Sequence, residues 1–202
     1  MRRPANEYRI VTCWSLRATM DEVGRIAAEP DRLSQWWPAT FLEASRRERD
    51  KELAAGSELD FVTKGWLPHT MRFSARVQEL SYPGSFRAEV SGDFEGQLLC
   101  EMHTDGGLCT IRFEWVVKVH KPMVRALSFL LKPLFYSNHL WVMMRGWRSL
   151  HVELARRRCE SSGERFTALP PQPTFPYGRR YEWVRAGMRK VGVLGKGSLI
   201  NS

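Results

Sequence analysis

The tripeptide Asp105-Gly106-Gly107 separates two long alternating runs, Phe94 to Thr104 and Leu108 to His120, and no other feature limits the fold as much. Asp-Gly is a preferred pair for a two-residue turn that needs positive φ at both central positions, so the runs read as neighbouring antiparallel strands. With Asp105 and Gly106 as the loop, Thr104 faces Gly107, Met102 faces Cys109, Cys100 faces Ile111 and Leu98 faces Phe113. This register puts the even-numbered apolar residues of one strand on the same face as the odd-numbered ones of the next, as a half-buried hairpin requires. It sets Gly96 opposite Trp115, where a large ring can cover the missing side chain. Arg112 and Glu114 then point away from Ile111, Phe113 and Trp115, into a solvated cross-strand network.

Similar alternation recurs upstream. Tyr8, Ile10, Trp14 and Leu16 share one face of a first strand. Thr19-Met-Asp-Glu22 is a capping box that starts a short helix near Met20, Pro30 ends it, and Asp31-Arg-Leu-Ser-Gln-Trp-Trp37 makes a second short helix closed by Pro38. Strands are expected over Phe41 to Arg49, Leu59 to Lys64, His69 to Leu80 and Ser85 to Ser91. In the third of these, Met71, Phe73, Ala75 and Val77 face inward and Arg72 lies on the polar side.

After the hairpin the period changes from two to between three and four. Pro122 marks a helix start, and the apolar run Met123 to Leu131 is expected to end at Pro133. A long helix follows from Tyr136 to about Cys159. Its inner stripe is Tyr136, Leu140, Met143, Trp147, Leu150 and Leu154, with Arg145, Arg148, Glu153, Arg156 and Arg157 on the other side. Residues 127–147 match a membrane span in length, yet Lys132, Pro133, Asn138, His139 and Arg145 make a poor one. The reading is a lid followed by a wall.

Composition removes several function classes. The 202 residues hold 43% hydrophobic and 26% charged residues, ordinary for a globular chain. The net charge of +9 is uneven: residues 1–155 carry 21 basic and 19 acidic side chains, the last 47 carry 10 and 3. The basic excess thus describes a tail, and no nucleic-acid partner is expected. Within it, 168–178 has the proline content of a linker, and Tyr181, Val184, Met188 and Val191 are spaced like a short basic amphipathic helix, a candidate for membrane-surface contact. Cys13, Cys100, Cys109 and Cys159 are scattered, which predicts reduced thiols and no metal site. The start runs into a strand without a secretory apolar stretch, which predicts a cytoplasmic protein. No nucleophile elbow is present, and Gly195-Lys196-Gly197-Ser198 lacks the preceding glycine and strand of a phosphate loop.

One strand, two short helices, about six strands and a long helix make an α+β arrangement: a curved antiparallel sheet of six to seven strands wrapped around a long C-terminal helix. Such a grip leaves room for a small molecule between helix and sheet. At this point the sequence resembles the START-like, polyketide cyclase/dehydrase (SRPBCC) superfamily of helix-grip proteins, in particular its bacterial cyclase-like members. The resemblance is carried by Asp31-Arg-Leu-Ser-Gln-Trp-Trp-Pro38, by Lys64-Gly-Trp-Leu-Pro68 with Ser91-Gly-Asp-Phe-Glu-Gly96, and by Asn138-His139, Trp141, Met143 or Met144, and Gly146. It spans residues 7–157 and leaves 158–202 as a basic, proline-containing tail. The resemblance implies a hydrophobic ligand, such as a lipid, isoprenoid or polyketide-like compound, and no cofactor. It covers both carriers or sensors and cyclase or dehydratase enzymes.

The candidate ligand-binding residues are Trp37, Trp66, Phe73, Phe113, Trp115, Asn138, Met143 and Trp147. His139 is the one candidate catalytic residue, with two readings: a general acid or base at the cavity mouth, or a hydrogen-bonded anchor beside an N-cap-like Asn138.

Overall fold

In the computed structural model, which describes residues 7–48, 51–119 and 128–174, strand β1 (Glu7–Arg17) leads into helix α1 (Met20–Ala27), a 3-10 turn (Pro30–Arg32) and helix α2 (Leu33–Trp36). Strands β2 (Phe41–Arg46), β3 (Glu58–Lys64), β4 (Thr70–Ser81), β5 (Ser85–Gly92), β6 (Phe94–Asp105) and β7 (Leu108–Val119) follow, then helix α3 (Ser128–Ser162). The expected helix start at Pro122 and the amphipathic spacing from Tyr181 to Val191 lie outside the described residues.

The seven strands form one antiparallel sheet in the order β1-β7-β6-β5-β4-β3-β2. The first two strands in sequence are therefore its opposite edges, and the short helices between them bridge its width. Bulges between Phe41 and Glu43 and between Val77 and Glu79 interrupt the regular register and add bend to their strands. On the outer face, Arg112 meets Glu101 and Glu114, and Arg9 meets Glu114, as the strand parity predicts.

The β6–β7 hairpin corrects the expected register. Asp105 pairs with Leu108, so the loop is Gly106-Gly107, with φ of 54° and 79°. Both loop positions are left-handed, and two glycines hold them with less strain than aspartate and glycine. Every pairing consequently moves by two residues: Cys100 faces Phe113, Leu98 faces Trp115, and Gly96 faces Val117 rather than Trp115. A shift of two leaves the faces unchanged, and Cys100, Cys109 and Ile111 are all buried.

Helix α1 begins at the expected capping box. Glu22 accepts from the Thr19 amide at 2.8 Å, and Thr19 Oγ1 accepts from the Glu22 amide at 3.2 Å. Glu22 also receives Arg158 at 2.7 Å, which ties the start of α1 to the end of α3. A second clasp joins Arg157 to Glu29 at 3.0 Å and to the buried Glu153 at 2.8 Å. These ion pairs position the helix; their exposed members contribute little to stability.

Helix α3 differs from expectation in two ways. It runs unbroken through Pro133, whose missing amide removes one bond without ending a helix anchored further along. Its inner line is Met143, Gly146, Ser149, Leu150, Glu153 and Leu154, all buried, whereas Tyr136, Leu140 and Trp147 are exposed. The reason is Gly146. A Cβ there would lie 2.2 Å from Cζ2 of Trp37, so the tryptophan ring enters the helix surface where a side chain is missing. A stripe scored by hydrophobicity passes over such small positions.

Gly146→Ala accordingly tests the grip. Alanine normally stabilises a helix interior by about 1 kcal/mol over glycine. Here the clash with a buried ring should reverse the sign and destabilise the protein by about 1–3 kcal/mol in urea denaturation.

Candidate functional site

The concave face of the sheet carries a girdle of aromatic rings. Phe113 of β7 touches Trp14 of β1 (centroids 4.7 Å apart), and Trp14 touches Trp37 (5.4 Å). Trp37 continues to Phe41 of β2 (5.1 Å), Phe41 to Phe61 of β3 (5.5 Å), and Phe61 to Phe73 of β4 (5.2 Å). Phe73 meets Phe94 of β6 (4.8 Å), which meets Trp115 back on β7 (6.3 Å), and Trp36 branches from Trp37 (5.7 Å). The chain of rings thus begins and ends on β7. Inward parity on each strand brings it about, since Phe61, Phe73, Phe113 and Trp115 share their faces with buried Leu59, Ala75 and Ile111. Most neighbouring rings are tilted or edge-to-face, the arrangement their quadrupoles favour.

Two apolar clusters meet at this girdle. One joins Trp14, Trp36, Trp37 and Ile111 to Met143, Leu150 and Leu154 of α3. The other joins Phe61, Phe73, Val77, Val90 and Phe94, and Phe41 packs against both. A cleft of about 540 Å³ opens where α1 crosses the β4–β5 turn, lined by Gly24, Arg46, Leu53, Leu80, Tyr82 and Phe86 among others. Leu53 and Leu80 pack on the second cluster and Phe86 on the first, so the cleft adjoins the interior from one end.

Of the predicted ligand residues, Trp37, Phe73, Phe113 and Trp115 belong to the girdle, and Met143 faces it from α3. Asn138 serves another purpose. Its Oδ1 accepts from the amides of Trp66 (3.0 Å) and Leu67 (3.3 Å), holding the β3–β4 connection against α3. A Cβ on Gly65 would lie 2.1 Å from the same oxygen, so this contact also depends on a missing side chain. Asn138 is thus a clamp between chain segments rather than an N-cap. Trp66 itself is 40% exposed and lies apart from the ring chain. Trp147 also lies apart: its indole N–H donates to the Ser15 carbonyl on edge strand β1 at 3.1 Å, and its ring rests on His151. Trp14, Phe41, Phe61 and Phe94 were not among the predicted site residues. In β3, Val62 is buried on the opposite face from Phe61, which hides the alternation that would have singled out the phenylalanine.

His139 sits between α3 and β1, its Nε2 3.0 Å from Oγ1 of Thr12, a residue on the inward face with Trp14 and Leu16. Burial pushes the imidazole from its ordinary 6.5 down to about 4. At pH 7 about one ring in a thousand would then carry a proton, too few for an efficient general acid. The anchoring reading fits this geometry. The buried thiols are inert for the same reason, with Cys100 pushed up to about 12 by its apolar surroundings. Among the described residues no group of His, Cys, Asp and Glu is placed to hold a metal ion, and no helix is long and apolar enough to cross a membrane.

A curved seven-stranded antiparallel sheet closed over a long C-terminal helix, with short helices after the first strand, is a helix-grip fold. It is the fold that the resemblance of the sequence implies. No family model and no curated protein matches the sequence, so the likeness lies in shape. The chain is similar to the ZhuI aromatase/cyclase from Streptomyces sp. R1128, with a TM-score of 0.60 at 10% identity over 79% of this chain and 99% of that one. It is similar to TTHA0849 from Thermus thermophilus, with a TM-score of 0.59 at 16% identity over 77% and 99%. A norcoclaurine synthase point mutant of Thalictrum flavum, in complex with a transition-state analogue, gives 0.53 at 14% identity over 75% and 96%.

The His139 shift has a testable sign. Its folded value lies below its unfolded one, so the unfolded chain takes the proton first and stability falls as pH drops from about 6.5 to about 4. The contribution of Glu22, whose carboxyl Arg158 holds at about 2, fades only below its unfolded value of 4.5. Between pH 7 and pH 5 the native protein should lose about 5 °C more of melting temperature than His139→Asn, measured by thermal denaturation.

Proposed function

We propose that the protein binds a hydrophobic small molecule of lipid, isoprenoid or polyketide type between sheet and helix α3, as a carrier or sensor. The aromatic girdle carries this reading. Its rings offer flat apolar surface from six of the seven strands and from α2, a lining suited to a ligand with a rigid or extended hydrocarbon body. The cleft beside α1 is walled off from the inner clusters by Leu53, Leu80 and Phe86, whose movement would admit a ligand.

A second reading, a cyclase or dehydratase acting on such a ligand, is favoured by the inward-facing pair His139 and Thr12. The ZhuI aromatase/cyclase shares the fold, though not enough sequence to transfer a reaction. In that role a neutral imidazole and a hydroxyl would orient a substrate oxygen, and catalysis would rest on holding a folded chain in reactive geometry.

Titration with the dye anilinonaphthalene sulfonate and with a long-chain fatty acid tests the binding reading. Phe73→Leu trims the girdle at modest cost to the core and should weaken both probes about three-fold or more, whereas Trp66→Ala should leave them unchanged. Absence of probe binding, or equal effects of the two variants, removes the girdle as the binding surface.

A further inference from the structure

Helix α3 turns a line of apolar side chains to solvent: Tyr136 is 52% exposed, Leu140 44%, Met144 48% and Trp147 37%. Steps of four, four and three keep them on one side of the helix, beside the buried line of Met143, Gly146 and Leu150. The sequence on either side of them carries charge of a single sign. From Trp115 to Val152 the sequence contains no Asp or Glu, and it contains Lys118, Lys121, Arg125, Lys132, Arg145 and Arg148. In the described part of that stretch Arg148 is exposed beside Met144, and the Arg145 guanidinium lies 5.2 Å over the Trp141 ring.

This charge decides among occupants. A second copy would bring one basic face against another. Residues 175–202, with six Lys or Arg and one Glu, would do the same. A protein partner is not required by anything in the pattern, whereas Trp, Tyr, Leu and Met beside Arg148 suit the boundary between phosphates and acyl chains.

We propose that α3 docks flat on an anionic phospholipid surface through Tyr136, Leu140, Met144 and Trp147, with Arg148 meeting lipid phosphates. The helix lies on the bilayer and does not cross it.

The test uses the full chain with vesicles of pure phosphatidylcholine and vesicles in which a third of the lipid is phosphatidylserine, read by co-sedimentation. The native protein should bind the anionic vesicles, bind the neutral ones much more weakly, and release as salt is raised. The double variant Leu140→Ser/Met144→Ser should partition about ten-fold less while keeping its melting temperature, since both side chains are exposed. Its dye binding should not change, which separates this surface from the interior site. The proposal falls if the native chain ignores anionic vesicles, if it binds neutral ones equally, or if the double variant binds as well as the native chain. It also falls if light scattering finds a native dimer that the double variant converts to monomer, which would make the line an interface between copies.

Discussion

The contact between Trp37 and Gly146 holds the architecture together. The same indole touches Trp14 of β1 and Phe41 of β2, and these strands are the two opposite edges of the sheet. On its other side it lies against α3 at the one position of the inner line without a side chain. A single ring therefore fixes both edges of a curved sheet and the helix that fills it. Pro38 supports this by turning the chain immediately after Trp37, which directs it into β2. Protein interiors are close-packed, so a ring in that position leaves its neighbours few alternative arrangements.

From this junction the interior takes its chemical character. Rings follow one another around the wall, while the charged residues of the same strands lie on the outer face as Arg–Glu and Arg–Asp networks. Inside, His139 pairs with Thr12 and burial keeps that imidazole neutral, while the buried Glu153 carboxylate is taken up by Arg156 and Arg157. An apolar lining with little ionisable chemistry suits holding a hydrophobic molecule better than proton transfer. The outer side of α3 is apolar and basic together, so the helix that closes the interior also presents a second, separate surface.

Much of the fold was legible along the chain, and the misreadings share a cause. The hairpin parity was consistent with the expected register, yet the true register differs by two residues, and parity is blind to even shifts. The Asp-Gly signal was diluted by a second glycine, and both glycines entered the loop because both loop positions have positive φ. Hydrophobicity alone turns Tyr136, Leu140 and Trp147 inward because they are large and apolar, while the true inner line runs through Gly146 and Ser149. Helix faces are chosen by shape complementarity as well as by hydrophobicity, and only the facing ring of Trp37 shows where a small residue is wanted. Local sequence suggests a cap at Asn138, and its role as a clamp on the Trp66 and Leu67 amides depends on a loop distant in sequence.

The sequence by itself determined the order of elements, the inward faces of the strands, the capping box at Thr19 and Glu22, and the outward placement of Arg112 and Glu114. These follow from local rules, because strand period, turn geometry and helix caps involve residues close along the chain. Only the packing of distant segments sets that the rings join into a girdle beginning and ending on β7, that His139 loses its proton, and that a line of α3 is left exposed. Each of these depends on which distant segments meet, and the energy of burying or exposing a group is set by its neighbours in space.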